Sequence, residues 1–132
     1  MRINRVTATV QVKGDYRKCY AFYTEKVGLI PIYGDCDGPY TSFSNSKDGE
    51  PFFAMYCSHD LAKRTPGYIV SEHAASTDTL SAVFHTDDFE AEFKRMQEAG
   101  IELERVDMEG EFNMAIFSDP EGNALSLEDG GV

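Results

Sequence analysis

Asp119-Pro120-Glu121-Gly122-Asn123, the DPEGN of FSDPEGNALSLED (Phe117 to Asp129), is the stretch on which the rest of the chain is read. Proline at the second position presets φ for a turn, and glycine at the fourth accepts a positive φ without a Cβ clash. The β-rich runs on either side, Phe112 to Phe117 and Ala124 to Glu128, then become the two arms of a hairpin. Alternation places Phe112, Met114 and Ile116 on one face of the first arm and Asn113, Ala115 and Phe117 on the other. On the second arm Glu128 shares a face with Ser126 and Ala124.

Upstream of the hairpin the apolar period changes. Leu80 to Thr86 reads as a strand, with Ser81, Val83 and His85 on the face opposite Leu80, Ala82 and Phe84. A helix follows to Ala99, with Asp87 and Glu90 spaced as a capping box, Phe89, Phe93 and Met96 as its buried stripe, and Gly100 as its stop. Ile101 to Arg105 supplies another strand, so the second half reads β-α-β-β-β.

The first half follows the same plan. Asn4 to Val12 alternates Val6, Ala8, Val10 and Val12 against Thr7, Thr9 and Gln11. Asp15 caps a helix that runs to Val27 with Tyr16, Cys19, Tyr20, Tyr23 and Val27 on its apolar side, and Gly28 ends it. Leu29 to Tyr33, Tyr40 to Phe43 and Pro51 to Cys57 are strands separated by the turn-forming GDCDG and SNSKDG. Asp35, Cys36, Asp37 and Glu50 lack the donor spacing of a calcium loop and read as turn residues. Ser58 to Arg64 is a possible short helix, and Thr65 to Thr77 has the composition of a connection. The expected organisation is a single α+β domain, 1–132, made of a first module (1–57), a connection (58–77) and a second module (78–132).

Composition bounds the partners. With 132 residues, 12 basic and 23 acidic, the chain carries a net charge of −11, which repels phosphate backbones and anionic lipid surfaces. Nucleic acid and membrane are not expected partners. No apolar run is long enough to span a bilayer and the N-terminus lacks a secretory h-region, so a cytoplasmic location is expected. The 3 cysteines, Cys19, Cys36 and Cys57, form neither a disulfide framework nor a C-x-x-C metal pair.

CYAFYTEKVGL in the first half, DDFEAEFKRMQEAGIEL in the second and the DPEGN hairpin together resemble the vicinal oxygen chelate superfamily of glyoxalases, bleomycin-resistance proteins and extradiol dioxygenases. The resemblance implies two βαβββ modules whose curled sheets form a cup-shaped, partly open barrel around a small-molecule site, frequently in a dimer, and a homodimer is expected here. In metal-using members it also implies a His, Gln or Glu on the first strand of each module and a Glu on each last strand. Those positions fall here on Thr7 or Ala8, on Ser81, on Met55 or Tyr56, and on Ser126. None of these is a usual divalent-metal ligand, and no metal or other cofactor is expected.

The expected ligand-binding residues are Thr7, Thr9, Tyr33, Phe43, Phe53, Met55, Ser81, Phe112, Met114, Ser126 and Glu128, an aromatic and apolar lining with few polar anchors. His85, on the face that carries Ser81, is the candidate catalytic base. His59 and His73 fall in the connection, and an unorthodox metal group of His59, Asp60, His73 and His85 has no ligand spacing to support it. The expected function is metal-free binding of a small aromatic or cationic molecule. The alternative is a metal-dependent lyase, isomerase or dioxygenase with an atypical site.

Overall fold

The computed structural model describes residues 2–57 and 80–130. The chain divides into two compact units, Met1–Ala74 and Ala75–Val132. The expected Ser58 to Arg64 helix, the Thr65 to Thr77 connection, His59 and His73 lie outside the described residues.

The first unit contains β1 (Ala8–Gln11), helix α1 (Tyr16–Ala21) continued by a π-helical segment (Phe22–Val27), β2 (Ile30–Tyr33), β3 (Tyr40–Ser44) and β4 (Phe53–Tyr56). Its sheet order is β1-β4-β3-β2, with β1 parallel to β4 and the remaining pairs antiparallel. The second unit contains β5 (Leu80–His85), helix α2 (Phe89–Glu98), β6 (Glu104–Val106), β7 (Met114–Ser118) and β8 (Ala124–Glu128). Its order, β5-β8-β7-β6, and its strand directions repeat those of the first. The fold is α+β, and the repeated β-α-β-β-β plan expected from sequence is present in both halves.

The local chemistry of the helix ends explains their limits. Asp15 caps α1 by accepting a hydrogen bond from the Lys18 N–H, and Gly28 closes the helix at φ 91°. Between them the helix widens: the Gly28 and Leu29 N–H groups both donate to the Tyr23 carbonyl. The adjacent Phe22 and Tyr23 are both in the core, at 7% and 0% exposure, where the expected apolar stripe includes only Tyr23. In α2 the cap is Asp88, whose carboxylate accepts from the Ala91 N–H, and not Asp87 as the spacing suggested. The expected capping box does not form because Glu90 turns instead to Arg105, with two hydrogen bonds of 2.7 and 3.0 Å.

Five strands start later than expected: β1, β2, β4, β6 and β7. β1 begins at Ala8 and not at Asn4, because its partner β4 begins only at Phe53 and leaves the preceding residues without a ladder; Val6 is 84% exposed. β7 begins at Met114, so Phe112 lies outside the strand. The DPEGN turn is a hairpin as expected. Asp119 accepts at Oδ1 from the Glu121 and Asn123 N–H groups and at Oδ2 from the Asn123 side-chain amide. Gly122 takes φ 88°, and its N–H donates to the Asp119 carbonyl.

Each sheet presents one face to its own helix. In the first unit the Tyr23 ring lies 4.8 Å from Phe53 and 6.0 Å from Phe43, and the Tyr16 hydroxyl is 2.7 Å from Thr41 Oγ1. In the second, Arg105 lies over the rings of Phe89 and Phe93 at 5.2 and 4.2 Å, on the face shared by Phe84, Ala115, Phe117, Leu125 and Leu127. Burial of these apolar side chains is the main stabilising term in each unit.

Candidate functional site

The face of each sheet turned away from its helix is the only sheet surface not committed to helix packing among the described residues, and the register of the strands assigns its members. In the second unit, β5 and β8 pair Val83 with Ser126 and His85 with Glu128, and β7 and β8 pair Ile116 with Ser126 and Met114 with Glu128. His85, Glu128, Ser126, Met114, Ile116 and Val83 therefore share this face. In the first unit the corresponding pairs are Thr9 with Ala54, Gln11 with Tyr56, Ser42 with Ala54 and Tyr40 with Tyr56.

From Ala8 in one unit and Ala82 in the other, the β1–β4 and β5–β8 ladders keep the same register. Val12 N–H donates to the Tyr56 carbonyl in one unit, and Thr86 N–H donates to the Glu128 carbonyl in the other. Counting from these bonds, Gln11 corresponds to His85, Tyr56 to Glu128, Ala54 to Ser126 and Thr7 to Ser81. The last-strand position in the first unit is thus Ala54, and not Met55 or Tyr56 as expected from the sequence.

The expected site residues separate into three groups. Met114, Ser126 and Glu128 lie on the helix-free face together with His85, Thr9 and Tyr33 take the same side of the first sheet, and Ser81 falls at the register shift between Leu80 and Ala82. Thr7 lies just before β1, and Phe112 just before β7. Phe43, Phe53 and Met55 were expected to line a ligand site, and they are instead core residues under α1, at 0%, 1% and 0% exposure. The reason is parity: Thr41 pairs with Met55 and Phe43 with Phe53, and Thr41 faces Tyr16 of the helix. Two neighbours received less weight in the sequence. Tyr56 and Gln11 occupy the helix-free face, and alternation from Thr9 places Gln11 there, whereas Tyr56 depends on a strand register that no local pattern carries.

At the centre of the second face Ser126 is fully buried and its hydroxyl donates to Glu128 Oε2 at 2.9 Å. His85 is exposed, and its Nδ1 lies 3.1 Å from the carbonyl oxygen of Gly130. Just beyond, Asn113 donates through its backbone N–H and its side-chain amide to Asp129, both at 2.8 Å, and these bonds hold the Asp129 carboxyl below the usual carboxylate range. The first face is uncharged: the Tyr33 and Tyr40 rings are 6.3 Å apart, with Ser42 buried beside them and Tyr33 68% exposed.

The donor set does not fit a divalent metal. Thr7, Ser81, Ala54 and Ser126, the four positions that the repeat aligns, offer hydroxyls or a methyl where a metal needs imidazole or carboxylate. Among the described residues no three His, Cys, Asp or Glu side chains gather into a metal-holding group.

The sequence model of the glyoxalase/bleomycin resistance protein/dioxygenase superfamily matches residues 2–127, and the chain belongs to that superfamily. No curated protein matches it. Among solved structures, TnmS3, an antibiotic binding protein from Streptomyces sp. CB03234, is 22% identical with a TM-score of 0.63, over 99% of each chain. A protein of unknown function from Agrobacterium tumefaciens str. C58 is 21% identical with a TM-score of 0.71, over 99% of this chain and 97% of that one. The fosfomycin resistance protein FosX from Listeria monocytogenes is 17% identical with a TM-score of 0.66, over 100% of this chain and 97% of that one. At these identities the likeness is one of fold. No described helix is long and apolar enough to cross a membrane.

Proposed function

We propose that this protein binds a small aromatic or cationic organic molecule without a metal, as a cytoplasmic homodimer, and sequesters it instead of transforming it. In this reading 1–57 and 78–132 are the two modules and 58–77 connects them. The observation that carries the reading is Ser126: it is buried where metal-using relatives are expected to hold a Glu, and its hydroxyl is bonded to Glu128. Glu128 then serves as the anionic anchor for a cationic or hydrogen-bond-donating group, with Met114 and Ile116 of the same sheet face as apolar surroundings. The net charge of −11 favours approach of a cation. The antibiotic-binding description of TnmS3 supports a small organic compound as ligand.

Calorimetric titration of chelator-stripped protein with nickel, zinc, manganese and ferrous ions tests the metal-free part, and the expected result is no one-to-one binding. Titration with cationic aromatic compounds, bleomycin-like antibiotics included, tests the ligand class. Glu128→Lys should weaken such binding in a salt-sensitive way, and unchanged affinity would count against the anchor. Sedimentation of the full chain checks the dimer.

A second reading, a metal-dependent enzyme with His85 in its site, is favoured by one observation: a FosX variant of the same fold is described in complex with Mn(II) and a dihydroxypropylphosphonic acid. Stoichiometric metal binding that is lost in His85→Ala would establish it over the first.

A further inference from the structure

The end of β8 fixes one imidazole more firmly than its exposure suggests. His85 Nδ1 lies 3.1 Å from the Gly130 carbonyl oxygen, and a carbonyl oxygen only accepts, so Nδ1 carries the proton. In the neutral ring this leaves Nε2, on the far edge, with a free lone pair. The acceptor atom is itself held in place. A Cβ at Gly130 would fall 2.4 Å from Cβ and 2.6 Å from Cγ of Phe112, so the chain passes Phe112 only because residue 130 is glycine. One residue earlier, Asp129 is tied to Asn113 by three hydrogen bonds, two accepted by its carboxylate and one donated by its N–H. Beside the ring on the same sheet face stands its register partner Glu128, which accepts the Ser126 hydroxyl.

We infer that the Phe112–Gly130 contact and the Asn113–Asp129 clamp lock His85 as the Nδ1–H tautomer, so that Nε2 accepts a hydrogen bond from a phenolic or alcoholic hydroxyl of the bound molecule. Gly130 and Phe112 are positioning residues, and His85 is a specificity determinant that selects ligands carrying a hydroxyl donor. The inference rests on the reading above, in which the helix-free face of the second module binds a small organic molecule.

The test is nitrogen-15 NMR of the full-length chain at a pH where the ring is neutral, followed by titration with p-cresol and with its methyl ether, 4-methylanisole. The expected result is an Nδ1–H tautomer for His85, and p-cresol perturbing the ring at a concentration about tenfold below that of the ether, the size of one added hydrogen bond. His85→Asn, which keeps a donor for the Gly130 carbonyl and removes the second nitrogen, should erase the difference between the two probes. Gly130→Ala should free the ring and abolish the tautomer preference. An Nε2–H tautomer in the unaltered protein would overturn the lock while leaving the proposed binding function standing. An Nδ1–H ring that responds equally to both probes, or to neither, would overturn the hydroxyl selection. A protein that binds no organic compound in the wider screen would instead remove the reading beneath it.

Discussion

The two sheets are alike where they meet their helices and unlike where they do not. On the helix side both are filled with apolar side chains: Tyr23, Phe43 and Phe53 in the first unit, and Phe89, Phe117, Leu125 and Leu127 in the second, all buried. On the other side, the position of Gln11 in one unit is His85 in the other, Tyr56 becomes Glu128, and Ala54 becomes Ser126. Packing constrains the first set, because each lost methylene leaves a void. The second set is free to diverge within the same register, and it is there that a neutral aromatic surface and a surface bearing His and Glu have arisen from one repeated plan.

The largest effect should come from the side that the two units share. Phe53→Ala should cost about 3–5 kcal/mol of stability by leaving a cavity among Tyr23 and Phe43. Denaturant unfolding checks this, and a full-stability variant impaired only in ligand binding would return Phe53 to the binding surface and break the comparison.

The helix caps come next. Asp15→Ala and Asp88→Ala should each cost about 1 kcal/mol, since each carboxylate satisfies an N–H of the first turn. Asp87→Ala should stay within about 0.5 kcal/mol, as a surface change away from such a feature does. A larger loss for Asp87 than for Asp88 would restore the capping box that the spacing suggested.

The effect confined to alkaline pH sharpens a difference found in the first unit. Burial raises the Tyr16 pKa from 10.0 to about 12, against the opposing effect of its hydrogen bond with Thr41. A raised value means that the folded state holds the proton more firmly than the unfolded chain. This contribution is complete below the unfolded pKa of about 10 and is lost as pH rises through about 12. Stability measured across that alkaline range should fall less steeply in Tyr16→Phe, and a tyrosine absorbance titration should show one phenol ionising late. Identical alkaline profiles for the two proteins would remove Tyr16 from the core contacts of α1.

Much of this architecture was legible because short-range rules carry it. Gly28, Gly100 and Gly122 adopt the positive φ that their positions demanded, and alternation grouped Val83 with His85 and Ser126 with Glu128 as the strand register does. The misplacements share a cause. Phe43, Phe53 and Met55 looked like a ligand lining because aromatic and Met side chains suit a pocket and a core equally well. Only the pairing of β3 with β4 says which side they take. Glu90 looked like a capping residue until Arg105, 15 residues away, competed for it.

By itself the sequence determined the repeated order of strands and helices, the turn at Asp119 to Asn123 and the absence of metal-type donors at the expected positions. Each of these rests on backbone preferences and residue identities that act within a few neighbours. The tertiary structure alone decided which face of each sheet the helix covers, that Ala54 is the counterpart of Ser126, and that the Gly130 carbonyl meets His85. Those facts depend on register and on contacts between residues far apart in the chain, where a shift of one residue would turn every side chain to the opposite face.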